Sequence, residues 1–293
     1  MIQDQDDVML VRFEEGLTSL ALSSSTVVNY LADLRTFLRW GKKEIGEEFS
    51  LLVVTQEHIR LYRDYLARGL KRAASTINRH LMALRKFFAI AQQMGLVAFD
   101  PTAGVALVKE DRQAGSRPIS EAETEKLLDS AEQGTRAGLV RRDRAILLLL
   151  LHTGLRVSEL VDLQKDDVVF NDPGVHLRVN GKDQTHERRL PLPGRVCKCL
   201  NDYLKVCPQS TTVNHLFLSQ DGRPLSSRTV QRIISDCAKT AGLEGVSAQS
   251  LRRTFALQLW EKTKDLKLVS QRLGHQNCTI TEQYLAVHDN IEV

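Results

Sequence analysis

Ala145 to Leu151 reads Ala-Ile-Leu-Leu-Leu-Leu-Leu, the longest apolar run in the chain. A membrane span needs about 20 such residues, so this run is too short to cross a bilayer. A helix that is apolar on every side must instead sit inside a packed core. The run therefore predicts a buried central helix over Arg142–Leu151, stopped by Thr153-Gly154, with the rest of a domain wrapped around it. A chain of 293 residues is long for one domain and comfortable for two. Hydrophobic residues make up 42% and aromatic residues only 5%, so the cores are expected to consist mostly of Leu, Val, Ile and Ala.

The first hundred residues carry helical spacing. Ser23-Ser24-Ser25-Thr26 offers N-caps for a helix bearing Val27, Tyr30, Leu31, Leu34, Phe37, Leu38 and Trp40, with Gly41 as its expected stop. Thr55 caps a second helix with Ile59, Tyr62, Tyr65 and Leu66, ending near Gly69. Ser75 or Thr76 caps a third with Ile77, Leu81, Leu84, Phe87, Phe88 and Ala91, ending at Gly95, and Asp100-Pro101 closes the block. Between Leu66 and Phe99 there is no Asp or Glu, while Lys71, Arg72, Arg79, Arg85 and Lys86 all fall there. Solvated faces usually mix signs, so an all-basic face opposite an apolar one fits a phosphate backbone. The net charge of +4 and pI of about 8.8 gain meaning only through this clustering.

Lys109–Ser116 is polar and aperiodic and reads as a linker, dividing an N-terminal domain (1–108) from a second domain (117–293). Ser120 and Glu123 form a capping box that opens the second domain. Val168–Phe170, Val175–Val179 and Arg188–Leu192 alternate like short strands, with turns at Asn171-Asp172-Pro173-Gly174 and Gly181-Lys182-Asp183. Helices are expected again over 194–206, 227–241, 250–262, 266–273 and 279–285. The fold class is thus mainly α with a small antiparallel sheet.

The cysteine count is odd, at five, and residues 1–8 are acidic and polar, unlike a secretory leader. Both features point to a reduced, cytoplasmic compartment. Cys197-x-Cys199 has no second Cys or His pair at ligand spacing, so these residues read as small apolar side chains on a helix. Gly181-Lys182 is not a P-loop, because Asp183 replaces the Ser/Thr and no glycine precedes it by five. No Asp, Glu or His cluster has two-metal nuclease spacing.

Four segments could carry chemistry. In Thr153-Gly154-Leu155-Arg156-Val157-Ser158-Glu159, Gly154 permits a sharp exit, and Arg156 shares a helix face with Glu159. A carboxylate there can fix the arginine and aim its fork at a phosphate, although a purely structural ion pair has the same signature. Lys182 lies at the tip of the expected hairpin, where most lysines are simply solvated. In Ser250-Leu251-Arg252-Arg253, one arginine can face inward and the other outward. Finally, Leu273-Gly274-His275 is followed nine residues on by Tyr284.

In this order, the segments TGLRVSEL, NGKDQTHERRLPL, SAQSLRRTFA and LGHQNCTITEQYL resemble the tyrosine site-specific recombinases, the phage integrase or Xer-like family. STVVNYLADLRTFLRW and STINRHLMALRKFF resemble that family's helical SAM-like core-binding domain, and the likeness spans roughly residues 10 to 288. It implies a mixed α/β catalytic domain and an enzyme that cleaves and rejoins duplex DNA through a 3′-phosphotyrosine. Tyr284 would be the nucleophile, Arg156 and Arg252 the phosphate clamp, Lys182 the general acid, His275 a phosphate ligand and Glu159 an orienting group. The resemblance implies no ATP, metal or other cofactor. It also implies a C-shaped clamp around DNA with inverted half-sites, dimers on each site, tetramers in synapsis and a Holliday junction. The setting would be the cytoplasm, at the prokaryotic nucleoid, in cointegrate or dimer resolution or in element integration.

One position departs from the pattern. Where the family usually has His in its HxxR motif, this chain has Gln249, which can bind phosphate but cannot relay a proton at neutral pH. A degenerate recombinase that binds DNA without cutting is therefore an alternative, and a type IB topoisomerase is another. Core-binding helices are expected to begin within the first ~25 residues, which argues against an extra arm-binding domain of the lambda type, and Leu285–Val293 follow Tyr284.

Overall fold

The computed structural model describes residues 2–20, 22, 24–109, 117–133, 137–171, 174–180, 187–207 and 213–286. The chain divides into two compact units, Met1–Arg112 and Gln113–Val293. Within the expected linker, Lys109 is exposed and residues 110–116 lie outside the described residues.

The first unit contains α1 (Ile2–Ser19), α2 (Ser24–Glu44), α3 (Gln56–Asp64) and α4 (Ala74–Gln93). The first of these helices was not foreseen. It buries Met9, Leu10, Phe13 and Leu17, a stripe at helical spacing masked by the acidic residues before it. The aromatic residues concentrate here: Phe13 meets Phe87 edge-on at 5.3 Å, and Phe37 meets Tyr62 at 4.9 Å. The expectation of an aliphatic core thus holds for the second unit better than for this one.

Gly41 does not stop α2. The helix runs through it to Glu44, and Phe49 lies so close that a Cβ at Gly41 would overlap its ring. Thr55 caps α3 as expected, accepting from the His58 amide. The helix then widens into a π-turn over Tyr65–Gly69. Neither Ser75 nor Thr76 caps α4; the cap residue is Ala73, without a side-chain hydrogen bond. A polar cluster joins α2 to α4. Buried Asp33 takes Arg79 at 2.5 Å and His80 at 3.4 Å, and His80 Nδ1 contacts the Tyr62 hydroxyl at 3.1 Å. Burial, with Arg79 and Arg72 nearby, lowers the His80 pKa to about 4, so the ring is neutral at pH 7.

The second unit runs α5 (Glu121–Ser130), α6 (Ala137–Thr153), α7 (Val157–Asp162), β1 (Val168–Asn171), β2 (Gly174–Val179), β3 (Arg188–Pro191), α8 (Gly194–Leu204), α9 (Ser227–Thr240), α10 (Ala248–Thr263), α11 (Leu266–Leu273) and α12 (Cys278–Ala286). The Ser120–Glu123 capping box forms at the start of α5. Every residue from Ala145 to Leu151 is at most 4% exposed, because α5, α8, α9 and α10 all pack on α6. Each leucine buried in this way contributes roughly 1.5–3 kcal/mol. The sheet is antiparallel in the order β1-β2-β3, with Leu177 opposite both Val168 and Leu190. The β2–β3 turn, residues 181–186, lies outside the described residues, and with it Lys182.

The cysteines are free, and Cys197 and Cys199 lie half-buried on α8. Among the described residues, no group of three or more His, Cys, Asp or Glu could hold a metal ion, and no helix is long and apolar enough to cross a membrane.

Candidate active site

The site begins where α6 ends. Gly154 has φ +62°, and a Cβ there would come within 2.3 Å of the Phe255 ring, so both the turn and the packing require glycine. This turn delivers Arg156 to the N-cap of α7. Glu159, three residues into the helix, reaches back: Oε2 accepts from the Arg156 backbone N–H at 2.7 Å and Oε1 from Nη1 at 3.0 Å. Arg188 approaches the same carboxylate from β3 and grips both oxygens, at 2.9 and 2.7 Å. Burial pushes the Glu159 pKa up, but the Arg188 hydrogen bonds and charge, with Arg156, more than reverse this and hold it below the usual carboxylate value.

Arg252, on α10, is 4% exposed. Its Nη1 donates to the Gly154 carbonyl, and its Nη2 to the Leu273 carbonyl at 2.7 Å and to His275 Nε2 at 3.2 Å. Arg156 reaches the same turn, donating to the Leu273 and Gly274 carbonyls at 3.4 and 3.3 Å. Burial and the neighbouring Arg156 lower the Arg252 pKa to about 10, which leaves it charged at pH 7.

Gly274 caps α11 in the left-handed conformation and turns the chain into His275. The hydrogen bonds of His275 fix its tautomer. A guanidinium can only donate, so Nε2 must be the acceptor from Arg252, and Nδ1 must carry the proton. That proton faces the hydroxyl of Thr281, 2.8 Å away and fully buried on α12. Burial, then Arg252, Arg156 and Arg188, lower the His275 pKa to about 4, in keeping with a neutral ring.

Tyr284, one turn further along α12, meets the His275 ring edge-on at 5.8 Å. Its hydroxyl makes a long hydrogen bond, 3.4 Å, to the main-chain carbonyl of Gln249. The Arg253 guanidinium lies 5.1 Å from the centre of the Tyr284 ring. Burial raises the phenol pKa, and Arg252, Arg253 and Arg156 offset only part of that rise.

Among the described residues, Arg156, Arg188 and Arg252 set three positive charges against the one carboxylate of Glu159, beside a phenol. Such a site has charge to spare for an anion, and a phosphodiester matches the planar forks of two arginines. Among the residues expected from sequence, Arg156, Glu159, Arg252, His275 and Tyr284 come together, whereas Gln249 contributes its backbone and has an exposed side chain. Arg188 and Thr281 were not anticipated, and Arg253, the outer of the two adjacent arginines, lies half-buried against the Tyr284 ring. The alternation of β3 carried a signal for Arg188, which shares the inward face of Leu190 while Arg189 points out.

Comparison with known proteins places this geometry. Residues 117–290 match the phage integrase family, and residues 10–95 match the phage integrase N-terminal SAM-like domain. The chain belongs to the phage integrase family. It is a tyrosine recombinase, an enzyme of site-specific DNA recombination. It is 34% identical to tyrosine recombinase XerC of Pelobacter propionicus over 92% of this chain and 87% of that protein. It is 32% identical to tyrosine recombinase XerC of Staphylococcus carnosus over 90% of this chain and 87% of that protein. Its fold resembles a lambda integrase (75–356) dimer bound to a COC′ core site, with a TM-score of 0.74 and 22% identity over 96% of this chain and 95% of that one.

The basic residues expected of this recombinase's first unit differ in their surroundings. Lys71 and Arg72 stand exposed on the turn before α4, and Lys86 is half-buried on it. Arg79 is engaged by Asp33, and Arg85 donates to the Val105 carbonyl at 2.6 Å. The acid missing from the sequence around α4 is thus supplied by α2.

Proposed function

We propose that Tyr284 cleaves one strand of a duplex site, and that the strand is then rejoined to the 5′-hydroxyl of a second site. The phenol oxygen gives up its proton to solvent and bonds to phosphorus as the bond to the 5′ oxygen breaks, leaving a 3′-phosphotyrosine. A negative charge builds on the phosphoryl oxygens, and Arg156 and Arg252 stabilise it. His275, accepting at Nε2 from Arg252, steadies that guanidinium on the same phosphate, Glu159 orients Arg156, and Lys182 protonates the departing 5′ oxygen. Gln249 offers its side-chain amide to the phosphate as a hydrogen-bond donor. One phosphate ester replaces another of similar energy, so the exchange needs no ATP. The reverse attack, by the hydroxyl of a partner strand, restores the DNA.

The observation that carries this reading is the meeting of Arg156, Arg252, His275 and Tyr284, from separate elements, around one surplus of positive charge. Lys71 and Arg72, with Lys86, would hold the DNA backbone, joined by Arg79 and Arg85. Dimers form on inverted half-sites and pair into tetramers, with exchange passing through a Holliday junction. The work takes place on cytoplasmic DNA at the nucleoid, in dimer or cointegrate resolution or in element integration.

The test uses a duplex selected from a random pool by binding to the whole chain, then nicked beside its cleavage position to trap the intermediate. Wild type and Tyr203→Phe are expected to form a covalent protein–DNA adduct and Tyr284→Phe none. A bound duplex that never yields an adduct with wild type would leave only the DNA-binding reading.

A further inference from the structure

We infer that Arg188 is a positioning residue for strand cleavage: by taking both oxygens of Glu159, it keeps the Arg156 guanidinium available to the scissile phosphate. The inference rests on the recombinase reading and goes beyond it, because Arg188 touches no reacting atom.

Glu159 is a nearly buried carboxylate, 12% exposed, and a charge in that position must be paired. Two arginines reach it in different ways. Arg188, 13% exposed, makes two parallel hydrogen bonds, the strongest form of this pair. Arg156, 41% exposed on its side chain, gives Glu159 only one side-chain hydrogen bond, and its remaining contacts are long ones to the carbonyls of 273 and 274. The division of labour is set by where each arginine is rooted. Arg188 projects from the inward face of β3, and Arg156 stands at the exposed mouth of α7.

Without Arg188, the nearest cation to Glu159 is Arg156. The Arg156 fork would then turn onto the carboxylate, and the charge and donors meant for phosphate would be neutralised in place. A second feature ties Arg188 to the site. Its Nη1 lies 2.5 Å from where a Cβ on Gly274 would stand, too close for a side chain there, so the guanidinium packs against the turn that presents His275. Its Nε is buried without a hydrogen-bond partner among the described residues, so the group is retained for what its Nη atoms do.

The test is single-turnover cleavage of the nicked, pool-selected duplex, with DNA affinity measured alongside. Arg188→Met keeps the bulk of the side chain and removes the charge. A misplacement of about 1 Å at a reacting centre can cost about 100-fold in rate, so a fall of that order is expected, with affinity nearly unchanged. Adding Glu159→Gln to Arg188→Met removes the carboxylate that captures Arg156 and is expected to restore about 10-fold of the loss. A residue that merely holds the fold together would show the opposite, the double variant being no faster than the single one. Arg188→Lys keeps the charge but cannot grip both oxygens, and is expected to fall between wild type and Arg188→Met; it carries the test if Arg188→Met does not fold. Wild-type rates in Arg188→Met and Arg188→Lys, or no recovery in the double variant, would overturn the inference. Absence of adduct with wild type would instead remove the recombinase reading on which it rests.

Discussion

Thr281→Val is the sharpest single test of how the site is wired. The change keeps the shape of a fully buried side chain and deletes the hydroxyl that faces His275 Nδ1 at 2.8 Å. The ring cannot compensate by moving its proton to Nε2, because the Arg252 guanidinium already points a donor there. Two donors would then face each other while Nδ1 stood without one. Leaving a buried donor unsatisfied costs about 1–3 kcal/mol, which is about 5- to 150-fold if all of it falls on the rate. His275 is half-buried, so water can take up part of the deficit, and a loss of ~10-fold in single-turnover adduct formation is the expected outcome. Thr281→Ser, which keeps the hydroxyl, should recover most of the rate. A double-mutant cycle decides the cause: in a His275→Ala background, Thr281→Val should cost almost nothing. An equal loss in both backgrounds would show that Thr281 acts on the packing of α12 and not on the imidazole, and the tautomer argument would fail.

Gln249→His is expected to leave cleavage equal or faster, because position 249 meets Tyr284 through its main-chain carbonyl and its side chain is exposed; a loss beyond about 10-fold would show that the pocket depends on the amide. Acidification should destabilise the fold. His80 and His275, whose pKa values fall from 6.5 to about 4 on folding, stay neutral in the native chain while the unfolded chain takes up protons. Their contribution is intact above 6.5, is lost as the pH falls towards 4, and does not change further below that. Asp33 and Asp143, whose pKa values are raised by burial, act in the opposite direction as their carboxylates protonate. Urea unfolding between about pH 7 and pH 5 should therefore show a shallower loss of stability in His275→Gln than in wild type, and equal slopes would refute the assignment.

What the sequence revealed about this fold depends on how far apart the interacting groups lie. The apolar run of α6, the Thr55 and Ser120 caps and the strand alternation are local patterns, and each appears in the structure, although α6 begins five residues before Arg142. Gly41 misled because a helical glycine and a stop look alike until Phe49 is known to press against it. Arg156, Arg252, His275 and Tyr284 could be picked out only through their order and their resemblance to a family, since no local rule says that Arg252 reaches Gly154, 98 positions away. Arg188 and Thr281 escaped because they act on other side chains. A guanidinium that serves a carboxylate 29 residues earlier looks, in sequence, like any polar residue on a strand. Gly274 shows the limit most clearly. Its role as a helix-ending turn was legible, and its φ of +64° accords with it. The second demand on the same residue, that no side chain crowd the Arg188 guanidinium, exists only once β3 is laid against α11. A substitution there would strain the turn and displace Arg188 from Glu159 together, so the glycine couples the geometry of His275 to the charge balance around Arg156.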